Sequence, residues 1–382
     1  MGTTPIISGY STDLARLGTV AAQTAAHRRE TDKAAIVQHL YRSPCSRADL
    51  ARALSLPRMR VSDLVAELLA EGLIEESGTK RRPEAGKPAT TLRVRDEAFV
   101  IFSLDLSDET RFVAVISDLR GRFLYRTEIM VEERRGEDAL ELAVGLVRHL
   151  SAQSDRAPLG LGIGVSGAVS GDSIIRVSAR LGWQPTDVAH RLRPEVSCPV
   201  YLINDANAAA LGFYSLQENS TASLLMVTTA HGIGSGLIIG GALVRGTSGS
   251  AGEIGHIVVD ESAGPCPCGL SGCLDVVASA SHIRRRVLAD PDRRTDICDD
   301  VARALGQALA PMIGVTGVSD VVISGPVDII DERFVRLVES TVRARIFADL
   351  AAAVSVHLVA APEHLVLVGI IANVRAEVLG VA

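Results

Sequence analysis

Apolar residues recur at helical spacing from Asp32 onward, with Ile36, Val37, Leu40 and Tyr41 on one stripe. Ser46 then precedes a second helical stretch and has Asp49 three residues on, the spacing at which each side chain can cap the other's backbone N–H. Leu50, Ala51 and Leu54 supply the inner face of that stretch. After the short turn Ser55-Leu56, Pro57 suits the first turn of a third helix, where its missing N–H costs nothing. Val61, Leu64, Val65 and Leu68 give this helix its apolar face, and Gly72 closes it. Residues 1–27 read as a tail with room for one amphipathic helix. From Phe99 the period changes. Residues 100–106, 111–117 and 122–130 are strand-like, with a turn at Asp118-Leu119-Arg120-Gly121. A helix is expected over about 138–151, a buried strand over 159–165, and further strands at 223–228, 320–324 and near 354–360. Strands alternating with helices predict an α/β domain with helices on the sheet faces.

A chain of 382 residues is too long for one simple core and suits two or three units. With 47% hydrophobic and 22% charged residues it has a globular and not a disordered composition. The most apolar stretches, 224–244 and 350–374, are interrupted by glycines and His231 in the first and by Pro362, Glu363 and His364 in the second. Neither reads as a spanning helix, and no signal-type start is present, so a cytoplasmic protein without membrane insertion is expected. The net charge of -6 is unevenly spread: residues 28–95 carry 14 basic against 9 acidic side chains, and the remainder is acidic. That layout fits a nucleic-acid-binding head on an acidic body.

The head itself has helix-turn-helix spacing. In that geometry the second helix of the pair offers its first residues to the major groove, here Arg58, Met59, Arg60 and Ser62. The stretch 80–88, followed by a strand-like 90–94, reads as a two-stranded wing whose basic tip carries Arg81, Arg82 and Lys87. A three-helix bundle that binds another protein has the same pattern, without the need for the basic side chains.

Cys266, Cys268 and Cys273 stand in a C-x-C-x4-C spacing with His256 nearby, a four-ligand set of the kind that holds a structural zinc ion. The alternative is three ordinary thiols in a loop. Cys45, Cys198 and Cys298 sit singly among apolar residues and read as packing.

The run Ala251-Gly252-Glu253-Ile254-Gly255-His256, the cysteine cluster, Asn204-Asp205-Ala206-Asn207-Ala208-Ala209 and the wing's Gly86-Lys87-Pro88 together resemble the ROK family of repressors, open reading frames and kinases. The likeness covers nearly the whole chain from Asp32; the family's wing usually reads Gly-Arg-Pro. It implies an α/β, actin-like (RNase H-like) bilobed domain preceded by an α+β winged helix-turn-helix. The implied division is a tail at 1–27, the winged head at 28–95, and a sugar-sensing domain at 97–382 whose C-terminal helix returns to the first lobe. Sugar contacts would fall on Asn204, Asp205, Glu253, His256 and Asp275, where the family usually has Glu at the last position. Grouped carboxylates and amides can pair with several hydroxyls, and His256 could face zinc with one ring nitrogen and sugar with the other. Asn204-Asp205 also reads as a plain helix cap. Arg180, in Arg180-Leu181-Gly182-Trp183, either meets an acidic or phosphorylated sugar or is a solvated loop residue.

Kinases of the family use the counterpart of Asp205 as general base and hold ATP on glycine-rich loops. The first of these, Asp-x-Gly-Gly-Thr, is here Asp105-Leu106-Ser107-Asp108-Glu109, whose added carboxylates would repel a triphosphate. The second, Gly-Thr-Gly-x-Gly, is Ala230-His231-Gly232-Ile233-Gly234, and the adenosine segment contains Pro326, which donates no hydrogen bond. The resemblance therefore implies a sugar-responsive transcriptional regulator of repressor type, with no catalytic residue, one structural zinc per chain and no ATP. Its partners would be operator DNA and a sugar or sugar phosphate, and its assembly a homodimer or homotetramer. An active sugar kinase with a DNA-binding head, using Asp205 as base, is one alternative. A protein-interaction module sequestered by a transporter component is the other.

Overall fold

The first helix, α1 (Leu14–Arg42), starts well before Asp32 and runs through much of the segment expected to be a tail. The structure is a computed structural model describing residues 14–80, 89–169, 175–178, 181–183, 185–217, 223–230, 232–359 and 362–380. The chain divides into two compact units, one reaching to Arg95 and including Leu379–Val381, the other spanning Asp96–Val378.

In the first unit α1 is followed by β1 (Cys45–Ser46), α2 (Arg47–Ala53), α3 (Arg58–Ala70), β2 (Ile74–Lys80) and β3 (Ala89–Val94). Ser46 and Asp49 close the expected capping box: Ser46 Oγ accepts from the Asp49 N–H, and the Asp49 carboxylate accepts from the Ser46 N–H, each at 3.3 Å. The sheet runs β1-β3-β2, with β2 and β3 antiparallel as the arms of a wing. Ile36, Leu40, Leu50, Val61, Leu64, Val65, Leu68 and Leu92 are buried. Charges then fix α3 against α1. Arg60 Nε donates to Asp32 at 3.0 Å, Lys33 Nζ donates to Glu71 at 2.6 Å, and Arg29 pairs with Glu67.

The second unit opens with β4 (Val100–Leu106), β5 (Arg111–Ser117), β6 (Phe123–Met130), α4 (Gly136–Ala152), β7 (Pro158–Val165), β8 (Ala168–Val169), β9 (Ile175–Val177), α5 (Val188–Leu192), β10 (Val200–Asn204) and α6 (Asp205–Ser215). Among the described residues its main sheet has the order β10-β7-β4-β5-β6, parallel through β10, β7 and β4 and antiparallel beyond. Then come β11 (Leu224–Thr228), β12 (Gly234–Ile239), β13 (Ala242–Leu243), α7 (Leu274–Ala278), α8 (Ala280–Ala289), α9 (Arg294–Thr316), β14 (Asp320–Ser324), α10 (Glu332–Arg343), α11 (Ala348–Ala353), β15 (Ser355–Val359) and α12 (Pro362–Leu379). The second sheet is ordered β13-β12-β11-β14-β15. Each sheet has its own buried core, one around Phe102, Phe112 and Leu161, the other around Val227, Leu305 and Phe334. The unit is thus bilobed, as the resemblance implies.

Helix α12 returns to the first lobe. Gly160, Gly162 and Gly164 point from β7 toward it, and a Cβ on Gly162 would lie 2.4 Å from Ile370 Cγ2. On its other side a Cβ on Gly369 would lie 1.7 Å from the Ala208 carbonyl of α6. Only the side chains of α12 itself fill its gap to β7, and at Gly369 and Ala208 the helices α12 and α6 meet backbone to backbone. Among the described residues, no helix is long and apolar enough to cross a membrane.

Candidate functional site

Strand β10 ends on Asn204, and α6 starts on Asp205. Asn204 Oδ1 accepts from the Asn207 N–H at 3.0 Å, and its Nδ2 donates to the Gly167 carbonyl at 3.1 Å. Asn204 is therefore the helix cap, and its amide keeps one further N–H and one further lone pair for a ligand. Asp205 Oδ1 accepts from the Ala206 N–H at 2.9 Å, and both residues are only half-buried.

The stretch Ile233–Gly236, entering β12, gathers the other expected ligand residues. A Cβ on Gly234 would meet Ala206 Cβ at 2.8 Å, which places the start of α6 directly on it. A Cβ on Gly252 would lie 2.2 Å from the Ser235 carbonyl, and one on Gly255 would lie 2.2 Å from the Ile233 carbonyl. Gly252 also has φ +94°, a left-handed conformation that favours glycine. The two glycines flanking Glu253 thus press that loop onto the backbone of β12. Asp275 Oδ1 accepts from the Ile233 N–H at 2.6 Å, bringing the start of α7 to the same place. The start of α6 just after Asn204 and Asp205, the loop carrying Glu253 and His256, and the Asp275 carboxylate thus come to one short backbone segment. Burial pushes the Glu253 carboxyl up from its ordinary value, partly offset by His256, whose Nε2 lies 4.0 Å from Oε2. Arg180 and His231 lie outside the described residues. A surface pocket of about 190 Å³ lined by Gly136, Glu137, Leu140, Gly182, Trp183 and Thr186 contains none of the five.

The ligand atoms of His256, Cys266, Cys268 and Cys273 all lie within 4.8 Å of one another, a cluster that can hold a metal ion. Cys266 Sγ is 3.6 Å from His256 Nδ1, and Cys268 Sγ is 3.6 Å from Cys273 Sγ. A tetrahedral zinc ion, with bonds of about 2.3 Å to sulfur and about 2.0 Å to nitrogen, sets its ligand atoms roughly 3.5–3.8 Å apart, so the donor set fits. Three thiols held this close are poorly served without a cation: burial pushes Cys273 up to about 12, while a backbone N–H from Leu270 pulls Cys268 down. His256 faces the thiols through Nδ1 and Glu253 through Nε2.

The loop expected to degrade the first phosphate cradle is closed upon itself. Asp105, only 6% exposed, accepts from the Ser107 N–H at 3.0 Å and from its Oγ at 2.6 Å. Burial pushes the Asp105 carboxyl up, against the pull of those two bonds. Asp108 likewise accepts from the N–H and hydroxyl of Thr110, both at 2.7 Å. At the adenosine segment, Thr229 Oγ1 donates to the Ser324 carbonyl at 3.2 Å and stands 2.1 Å from where a Cβ on Gly325 would be. The Asp-x-Ser and Asp-x-Thr spacings are turn signatures and were legible as such.

On the head, Arg58, Met59 and Ser62 are exposed on the outer face of α3, as expected. Arg60 is half-buried, and its guanidinium pairs with Asp32 of α1, which ties the two helices together. Arg81, Arg82 and Lys87 of the wing lie outside the described residues.

The ROK family pattern matches residues 104–372, and a MarR family pattern matches residues 31–83. The xylose repressor of Bacillus subtilis (strain 168) is 28% identical over 257 residues, covering 66% of each chain. The xylose repressor of Caldicellulosiruptor bescii is 30% identical over 242 residues, 61% of this chain and 60% of that one. The match thus spans a little under two thirds of those relatives' own lengths. A crystal structure of a ROK family transcriptional regulator, homologous to the Escherichia coli MLC protein, superposes with a TM-score of 0.81 at 21% identity, covering 92% of this chain and 98% of the other.

Proposed function

The chain belongs to the ROK family, and from that premise we propose that it is a sugar-responsive transcriptional repressor and not a kinase. The observation that carries the reading is the contrast within the second unit. The Asp275 carboxylate, the start of α6 and the loop carrying Glu253 and His256 meet at Ile233–Gly236, while the loop that would cradle phosphate has turned its own carboxylate inward onto Ser107. The MarR-type head at residues 28–95 supplies the DNA contacts, through Arg58, Met59 and Ser62 of α3 and Arg81, Arg82 and Lys87 of the wing. The domain at 97–382 supplies the sugar site, formed by Asn204, Asp205, Glu253, His256 and Asp275. Asp205 serves there as a hydroxyl acceptor. Its effector is a sugar, and the relatives' names put xylose first among those to test.

Zinc is the ion best matched to the Cys3His set, held by His256 Nδ1 and the thiolates of Cys266, Cys268 and Cys273. It supplies a four-ended crosslink, while His256 Nε2 and the neighbouring Glu253 present themselves to the ligand. A homodimer or homotetramer in the cytoplasm would set two heads on a two-fold symmetric operator. Sugar shifts the equilibrium only through its differential affinity for the DNA-competent and DNA-incompetent states.

A coupled ADP-release assay with xylose, glucose and N-acetylmannosamine tests the non-kinase half: turnover near about 1 s⁻¹ or faster overturns it. Asp205→Ala tests the sensor half. Losing one hydrogen-bonding charged group should weaken the sugar's effect on DNA binding roughly 10–100-fold in sugar concentration, with sugar-free DNA affinity kept. Arg58→Ala should weaken DNA binding by about 1–3 kcal/mol. Arg60→Ala should instead lower the head's thermal stability and leave the salt dependence of DNA binding unchanged; the opposite ranking in a fluorescence-anisotropy titration would restore Arg60 to the interface.

A further inference from the structure

The outer face of α3 has one feature that folding does not explain. The charged residues of this helix fall into two sets. Arg60 and Glu67 pair with Asp32 and with Arg29 of α1. Arg58 and Asp63 have no partner among the described residues and lie exposed. Between them stands Met59, 76% exposed, the most exposed large apolar side chain among the described residues of the first unit. A methionine is a flexible apolar chain that gains by burial against another apolar surface, and here its own fold gives it none. Ser62 and Ala66, at i+3 and i+7 from Met59, are small and exposed, so the same stripe of helix can approach a surface closely behind it.

We propose that each operator half-site presents a thymine methyl group to Met59, beside a guanine read by Arg58; this rests on the DNA-binding function proposed above. The major groove offers one strongly apolar feature, the C5-methyl of thymine, and one bidentate acceptor pair matched to arginine, O6 and N7 of guanine. Met59 and Arg58 are the first two residues of α3, the end of a recognition helix that meets base edges. Consecutive helical residues diverge in direction, so the two side chains reach neighbouring base pairs and not the same one. The specificity assigned to Met59 is therefore for a single exocyclic carbon, and it is separable from every phosphate contact.

The test uses the full chain and a duplex library with a randomised centre, from which bound sequences are enriched and the consensus read. Thymines of the consensus are then replaced one at a time by deoxyuridine, which removes only the methyl. At one position per half-site the wild type should lose about fourfold in affinity, whereas Met59→Ala should be indifferent to that replacement and Met59→Leu should respond as the wild type does. An enriched site at which no deoxyuridine replacement matters, or at which wild type and Met59→Ala lose equally, overturns the Met59 assignment and leaves DNA binding standing. Failure to enrich any sequence overturns both. Because Met59 is exposed, circular dichroism of Met59→Ala should be that of the wild type, which keeps the comparison clean.

Discussion

Gly369→Ala should lower the melting temperature of the large unit by about 10 °C, although alanine is ordinarily the better helix former. The added Cβ would stand 1.7 Å from the Ala208 carbonyl and 2.9 Å from its Cα, both backbone atoms that no rotamer change can move aside. Helix α12 would have to back away from α6, and its far side has no room either, because Ile370 and Val374 already rest on the glycines of β7. Overpacking of this kind typically costs about 1–3 kcal/mol and more where backbone must shift. At roughly 2–4 °C per kcal/mol for a unit of this size, a drop near 10 °C corresponds to about 3–4 kcal/mol. The control is Gly314→Ala in α9, where a Cβ would meet nothing within 4 Å. That change should raise stability by about 0.5–1 kcal/mol through the helix term alone. Thermal unfolding followed by circular dichroism gives both values; a Gly369→Ala protein that melts with the wild type would mean α6 and α12 do not cross as described.

Cys273→Ala, or prolonged dialysis against a strong chelator, should remove the bound metal and with it the order of the loop from His256 to Asp275. Cys273 is fully buried and its residue pairs with Val258 across the loop, so neither the thiol nor the hole it leaves can be hydrated cheaply. The expected signature in native mass spectrometry is a fall from one zinc per chain to none, with a destabilisation of about 3 kcal/mol or more. The ligand site should suffer too, since Asp275 follows Cys273 by two residues and holds the Ile233 N–H at 2.6 Å. Sugar affinity should therefore fall with zinc content, while Cys198→Ala, a packing change elsewhere, should leave the zinc in place. A protein that binds no zinc as isolated and loses nothing on Cys273→Ala would reduce the cluster to three ordinary thiols.

How much of this was legible in the residues depended on whether a pattern was local. Strands β4 and β5 fall where continuous apolar runs between turn residues put them, and the Ser46/Asp49 box is a four-residue signal that needed no tertiary help. Helix α1 begins at Leu14, inside the segment read as a tail with room for one helix. Strand β10, five residues ending on the cap Asn204, went unassigned because a short apolar run next to a helix-forming stretch has no period of its own. The pairing of Arg60 was overlooked for a different reason. Its position on α3 suits a DNA contact, and only the packing of α1 reveals Asp32 within reach. The convergence on Ile233–Gly236 is long-range in every contact, so motif recognition could name its members but not the backbone they share.

The glycines of β7 bear on how the protein is made. That strand is translated about 200 residues before the helix that lies on it, a delay of roughly 10–40 s at ordinary elongation rates. Throughout that interval the early lobe carries a bare apolar trough, with no side chains along the strand's floor to shield it and no later segment yet synthesised to fill it. The first unit waits too, since Leu379–Val381 belong to it and come last. A ribosome stalled before Ile370 would hold a nascent chain with a sticky, half-built body, the kind of species that holdase chaperones must escort.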